Sequence, residues 1–301
     1  MPSKLHLTLF KRKELRTLQI SNEEYKQLKP LLFSISYRML GSVSEAEDIV
    51  QEIFLKAYQV EIEELKNKKA YLCKMVTNRS LDVLKSARFK KEQYVGPWNP
   101  EPLLLDEFES DPALTLLKKE GLSIAYLRMM EHLTPDERAV LLLREVFEFS
   151  YKEIADMIEK SEENCRKIFS RAKSKISHID GESLHYERNK SIVNRFIEAF
   201  QLQKTDVLLE LLSENVTLYS DGGGIVRAAI RPIVTPQNVS AFIFGILKKA
   251  PADFRIEVKN VNGQPAILIY LNGQLSSITS LFIRNEQIEE IYIILNPNKL
   301  P

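Results

Sequence analysis

Arg166, Lys167, Ser170 and Arg171 fall within one short stretch, "SEENCRKIFSRAKSKI", from Ser161 to Ile176. Their types suit nucleic acid. An arginine fork reaches the two acceptors on a guanine edge, and a lysine neutralises phosphate. Their spacing suits a helix: Cys165, Ile168, Phe169, Ala172 and Ile176 make one apolar stripe, and the cations lie mostly off it. Ser161 and Asn164 mark the helix start, and Glu162 and Glu163 suit its positive end. Just upstream, Ser150 and Glu153 read as a capping box, with Ile154, Ala155 and Ile158 as the buried face of a shorter helix. Two short helices, a three-residue gap and a basic outer face match a helix-turn-helix whose second helix enters the major groove. A solvated lysine-rich surface on an ordinary helical hairpin would carry the same residues, so the stretch alone leaves both open.

A second constellation lies near the N-terminus. "SVSEAEDIVQEIFLKAYQ" places Ile49, Val50, Ile53, Phe54, Ala57 and Tyr58 on one face, with Asp48, Gln51, Glu52 and Lys56 elsewhere. The next helical pattern, from Lys68 to Lys91, buries Leu72, Met75, Val76, Leu81 and Leu84 and ends in Lys85, Arg88, Lys90 and Lys91. One helix shows acid and amide groups, the next shows base. That is either a protein-binding helix beside a nucleic-acid-binding helix or two plain solvated faces.

The elements that must position these residues divide the chain by pattern. It has 301 residues, 44% hydrophobic and 28% charged, enough for two or three domains. The net charge of +1 gives no global sign of nucleic-acid binding, so the signal is local. Two cysteines, Cys73 and Cys165, fit a reducing compartment. No apolar run is long enough to span a bilayer, and the basic residues of the N-terminus follow its apolar stretch, so a cytoplasmic protein without membrane attachment is expected. Helical periodicity covers residues 23–92. Residues 93–112 form a linker, in which "YVGPWNPEPLLLDEFESDP" holds four prolines and five acidic residues. Helical periodicity resumes over 113–178. From 189 to 301 one helix, Lys190 to Gln203, precedes five strand-like runs rich in Ile, Val, Tyr and Phe, separated by Asn-Gly, Gly-Gln and Arg-Asn turns. Two helical modules and one α+β domain follow.

The motifs resemble a known family. "EAEDIVQEIFLKAY" is similar to the polymerase-binding helix of bacterial sigma factors of the extracytoplasmic-function group, and "AYLCKMVTNRSLDVLKS" to the helix that faces the −10 promoter element. "LTPDERAVLLLREVFEFSYKEIADMI" and "RKIFSRAKSKI" resemble region four, which reads the −35 element. The blocks stand in family order over about residues 23–178. The resemblance implies a region 2 bundle (23–92), a region 4 helix-turn-helix (113–178), and core RNA polymerase and promoter DNA as partners. It implies that Asp48, Gln51, Glu52 and Leu55 grip the polymerase, and that Asn78, Arg79, Asp82, Lys85 and Arg88 follow the melted −10 strand, with Tyr71 as an aromatic platform or a core residue. It assigns Asn164, Arg166, Lys167, Ser170 and Arg171 to the −35 duplex. "PWNPEP", "DGGG" and "NPNKL" resemble signatures of the SigJ-like subgroup with a fused C-terminal SnoaL-like cone of α+β fold. The subgroup often has lysine after the glycines; Ile225 stands there here. Trp98, Pro100 and Glu101 in the linker, Asp221, Gly222, Gly223 and Gly224 in the turn, and Asn296 and Pro297 in the tail are the expected interdomain contacts, with Trp98 as an anchor in an exposed linker.

An enzyme is not expected. All four histidines and both cysteines precede residue 189, which leaves the last domain without a His–Asp pair, a thiol nucleophile or a His/Cys metal site. An Asp–Tyr site from Asp206, Asp221, Asp253, Tyr219, Tyr270 and Tyr292 stays formally open. No cofactor or metal is expected, a small ligand of the C-terminal domain is an open possibility, and the free chain is expected to be a monomer. The alternative from another class is a ligand-responsive helix-turn-helix regulator that binds an operator unaided, usually as a dimer. The acid-amide helix around Gln51 and Glu52 has no use in such a regulator.

Overall fold

The computed structural model describes residues 20–58, 67–91, 94–105, 122–176, 185–248 and 254–301. Among the described residues three helices come first: α1 (Asn22–Leu40), α2 (Val43–Ala57) and α3 (Lys68–Lys91). Ser21 and Glu24 close a capping box on α1, whose C-terminus turns through Gly41 at φ 69°. The apolar face expected on α2 is buried from Ala46 to Ala57, while Tyr58 is exposed. Among the described residues four further helices follow the linker: α4 (Ile124–Met130), α5 (Pro135–Glu145), α6 (Tyr151–Ile158) and α7 (Glu162–Lys175). Capping boxes Thr134/Glu137 and Ser150/Glu153 start α5 and α6.

The two helical modules share one core. Leu32, Ile35 and Leu72 of the first and Val140, Leu142 and Ile154 of the second belong to a single buried cluster. The junction carries a specific staple: buried Arg138 donates from Nη1 to the Met39 carbonyl at 2.5 Å and to Glu131 at 2.9 Å. Helix α6 lies against α3, where Lys74 and Glu159 are 3.8 Å apart.

The C-terminal domain starts earlier than its strand pattern suggests. Helix α8 runs Tyr186–Gln201, and the His185 imidazole caps it by accepting the Arg188 amide at 3.4 Å. One of the four histidines therefore belongs to this domain's first turn, which corrects the reading that all precede it; it sits at a helix cap. After α9 (Thr205–Leu211) come β1 (Leu212–Asp221), β2 (Ile233–Val234), α10 (Pro236–Leu247), β3 (Arg255–Val261), β4 (Gln264–Leu271), β5 (Gln274–Arg284) and β6 (Gln287–Ile294). They form one mixed sheet in the order β2-β1-β6-β5-β4-β3, with β1 and β6 parallel and the rest antiparallel. Helices α8 and α10 cover one face, burying Phe196, Val239 and Ile243 against Ile267, Ile291 and Ile293. Part of the other face meets the helical modules: Phe282, Tyr292 and Tyr219 pack on Ile124 and Ala125 of α4. The five strand-like runs of the sequence fall on β1, β3, β4, β5 and β6, with Phe254 and Leu295 just outside β3 and β6.

Candidate nucleic-acid interface and interdomain clasp

Helix α7 is fixed by its sequence before any partner is present. The Ser161 hydroxyl accepts the Asn164 amide at 3.2 Å, and Cys165, Ile168 and Ala172 are buried. Asn164, Arg166, Lys167, Ser170 and Arg171 are all exposed along its outer side. Two of the cations are already engaged. The Arg166 guanidinium lies 4.4 Å over the Tyr151 ring and 3.5 Å from Glu162, and Lys167 pairs with Glu163 at 2.6 Å. The Arg171 guanidinium has no ion-pair partner among the described residues. Glu162 and Glu163 thus serve two roles that the sequence suggests only in part: they favour the helix N-terminus and they hold the cations one turn on.

On α2, Asp48, Gln51 and Leu55 are exposed, Leu55 to 58%. Glu52 is only half-exposed because it is shared. Lys56 lies 2.5 Å from one carboxylate oxygen and Arg79 Nε of α3 lies 2.8 Å from the other. Hydrogen bonds from Lys56, then Arg79, hold the Glu52 carboxyl below its usual range. The acid of one expected interface is tied to the arginine of the other. Asn78 and Arg79 are half-buried, and Asp82 and Lys85 are exposed. Tyr71 is half-buried against the helical core, so its ring supports the fold. The Arg88 side chain lies outside the described residues, as do residues 113–121 of the second module.

Over residues 96–105 the linker is packed rather than exposed as its composition suggests, and Trp98 is not a free anchor. A Cβ on Gly41 would lie 2.8 Å from the Trp98 ring, and the Lys299 ammonium sits 4.3 Å over that ring. Pro100 is buried. Glu101 turns back onto α2: its carboxylate accepts the amides of Val43 at 2.6 Å and Ser44 at 3.0 Å and the Ser42 hydroxyl at 2.9 Å. Leu104 then pairs antiparallel with Val261, and Asn262 exchanges bonds with Leu103, Oδ1 accepting at 2.9 Å. The linker thereby extends the β3 edge.

Asp221 organises the contact. It is fully buried and ends β1. Its Oδ1 accepts the Tyr94 hydroxyl at 2.6 Å and the Gly223 amide at 3.0 Å; its Oδ2 accepts the Asn99 amide at 2.8 Å and the Lys299 ammonium at 2.8 Å. Lys299 also donates to the Asn99 carbonyl at 2.6 Å, and its side chain is 7% exposed. A buried carboxylate tolerates its loss of water only with such partners. Burial and the bond to Asp221 push the Tyr94 phenol above its usual range. Asn296, also buried, donates to the Tyr94 oxygen at 3.1 Å. Gly223, at φ 61°, passes so close to the Asn296 amide that a Cβ has no room. Gly222 is buried, while Gly224, Ile225 and Pro297 are exposed. Arg128 of α4 adds a bond to the Trp98 carbonyl and stacks 4.2 Å over Tyr219. Tyr94, Asn99 and Lys299 carry this site and were not singled out from the sequence. The segments holding Asn99 and Lys299 were; Tyr94 had no local signal.

Comparisons with known proteins agree with the order of these parts. Residues 25–90 match the model for Sigma-70 region 2, and residues 123–176 that for Sigma-70 region 4. The chain is 28% identical over 292 residues to the ECF RNA polymerase sigma factor SigJ of Mycobacterium tuberculosis, covering 92% of each chain. It is 28% identical over 274 residues to the probable ECF RNA polymerase sigma factor SigI of that organism, covering 89% of this chain and 91% of the relative. The crystal structure of Mycobacterium tuberculosis SigJ superposes with a TM-score of 0.76 at 26% identity, over 93% of this chain and 98% of that one, so the likeness includes the C-terminal α+β domain. The chain carries Sigma-70 regions 2 and 4 and a docked C-terminal sheet domain in one order and one arrangement, that of the SigJ-like extracytoplasmic-function RNA polymerase sigma factors.

Proposed function

We propose that the chain is a promoter-specificity subunit of RNA polymerase whose activity is set in cis by its C-terminal domain. The α2 face of Asp48, Gln51, Glu52 and Leu55 meets the core enzyme. Asn78, Arg79, Asp82, Lys85 and Arg88 of α3 follow the melted −10 strand, and Asn164, Arg166, Lys167, Ser170 and Arg171 of α7 read the −35 duplex. The C-terminal domain acts through the linker. The observation that carries the cis reading is the burial of Asp221 among one linker amide, one linker hydroxyl and the tail ammonium. This clasp joins the tail to the segment between the two DNA-reading modules, and Glu101 in that segment caps the polymerase-facing helix. A tethered domain has an effective concentration up to about millimolar, so a modest contact is well occupied.

The test is reconstitution. Purified full chain is added to core polymerase with promoters of defined −35 and −10 elements. Promoter-specific transcript that depends on both elements is expected, and Glu52→Arg is expected to weaken core binding in an anisotropy titration. Operator binding without any polymerase-dependent transcript would replace this reading with that of a free-standing regulator.

A further inference from the structure

Between α8, α10 and the covered face of the sheet the C-terminal domain keeps an open-mouthed cavity. Its wall is aliphatic and aromatic, with Phe196, Phe200, Ile243 and Ile269 among its members, and among the described residues no charged side chain lines it. Two polar groups interrupt that wall. Ser277 and Thr279 of β5 are 6% and 7% exposed, and among the described residues neither hydroxyl has a hydrogen-bond partner. Both hydroxyls are open to the cavity, and two of them two residues apart on one strand face point the same way. The polar pair sits beside the clasp in the sheet. Thr279 is registered with Ile293 on β6, Ile293 is registered with Ser220, and the Ile293 carbonyl accepts the Asn99 amide group at 3.2 Å. β6 leaves the cavity wall at Leu295, and the amides of Leu295 and Asn296 both donate to the Asp221 carbonyl, at 2.8 and 3.0 Å.

We propose that this cavity binds an uncharged small molecule, mostly hydrocarbon, with one hydroxyl or carbonyl oxygen seated on Ser277 and Thr279, and that its occupancy is felt along β6 at the clasp. The described wall disfavours an ion, because nothing in it repays the lost hydration of a charge. The hydroxyl pair selects one oxygen against a bare hydrocarbon. The link to the clasp rests on the cis reading above, whereas the binding site does not.

The full-length protein is titrated with three probes sharing one ring system: 2-naphthol, naphthalene and naphthalene-2-sulfonate. Saturable binding of 2-naphthol is expected, with the sulfonate weaker by at least about tenfold. Thr279→Val keeps the shape and removes the hydroxyl, so it should weaken 2-naphthol several-fold and leave naphthalene unchanged. Ile246→Trp, at a half-exposed position on the rim, should block both neutral probes without touching the core. Saturation with 2-naphthol should slow amide exchange over residues 293–299. Equal affinity for the sulfonate, or a Thr279→Val effect that is the same for naphthol and naphthalene, overturns the site. Unchanged exchange over 293–299 at saturation overturns the link, while transcription by tail-truncated protein tests the cis reading separately.

Discussion

Arg166 and Arg171 stand on the same helix with the same chemistry, yet their surroundings separate them. Arg166 is held over Tyr151 and beside Glu162, which fixes where its fork points, while Arg171 has no ion-pair partner among the described residues. A pre-positioned fork suits base reading, and an unengaged cation nearer the helix end suits phosphate. Arg166→Ala should therefore cost about 1–3 kcal/mol of promoter binding and relax one −35 position. Arg171→Ala should weaken all promoters alike and lower the salt slope by about one. Binding isotherms on a −35 substitution panel at several salt concentrations check both. Glu52 gives a pH prediction. Its folded carboxyl is held low by Lys56 and Arg79, so the pairing contributes above the unfolded value of about 4.3 and is lost as pH falls through the lowered folded value. The melting-temperature difference between wild type and Glu52→Gln should be present at neutral pH and shrink as pH falls below the unfolded value and through the lowered folded one. The pair is half-exposed, so that difference should reflect no more than about 1 kcal/mol.

At the scale of elements, what the sequence made legible is what local chemistry decides. The capping pair Ser150/Glu153 and the stripe Cys165, Ile168, Ala172 place the helix-turn-helix, because both cap and stripe act within one or two turns. The β-branched runs place five strands. The helix Pro236–Leu247 was missed because "PQNVSAFIFGIL" is apolar almost all round and shows no helical period, and β2 has only two residues. The clasp was half legible. "DGGG" reads as an aspartate-led turn, and it is one, since the Gly223 amide bonds Asp221. Tyr94 is 127 residues from Asp221, and no local pattern announces that meeting. The linker strand was hidden by its prolines, which argue against any ladder; it pairs only at Leu104, beyond the last of them before residue 106. One further prediction belongs here. The buried Tyr37 hydroxyl donates to the Glu101 carbonyl at 2.6 Å and accepts from Asn262 Nδ2 at 2.8 Å. Asn262→Ala leaves these groups short of a partner, at about 1–3 kcal/mol, and should speed amide exchange at Leu103 and Leu105 with little change in α7. Equal protection at those amides would remove the linker strand from the account.

At the scale of the whole molecule, the two DNA-reading modules share a core and are stapled by Arg138 to the Met39 carbonyl. Promoter elements centred about 25 base pairs apart lie roughly 85 Å apart along straight B-form DNA at 3.4 Å per pair. Helices α3 and α7 are bridged by α6 and stand far closer than that. On the proposed assignment of α3 to the −10 strand and α7 to the −35 duplex, the packed arrangement is that of the free factor, and the modules part to engage a promoter. Dyes on Ser86→Cys and Ser174→Cys, both exposed, should move apart when core polymerase and promoter are added. The clasp sits at the segment that must give way. The measurement that tests this account most directly is promoter-specific transcription with core polymerase by the full chain, by a chain deleted from Asn296, and by a chain ended near Gly181. Removing the tail takes away Lys299 and leaves Asp221 without its cation, so the account predicts that tail deletion changes transcript yield while the helical modules stay folded by circular dichroism. Identical yield from all three chains would contradict it.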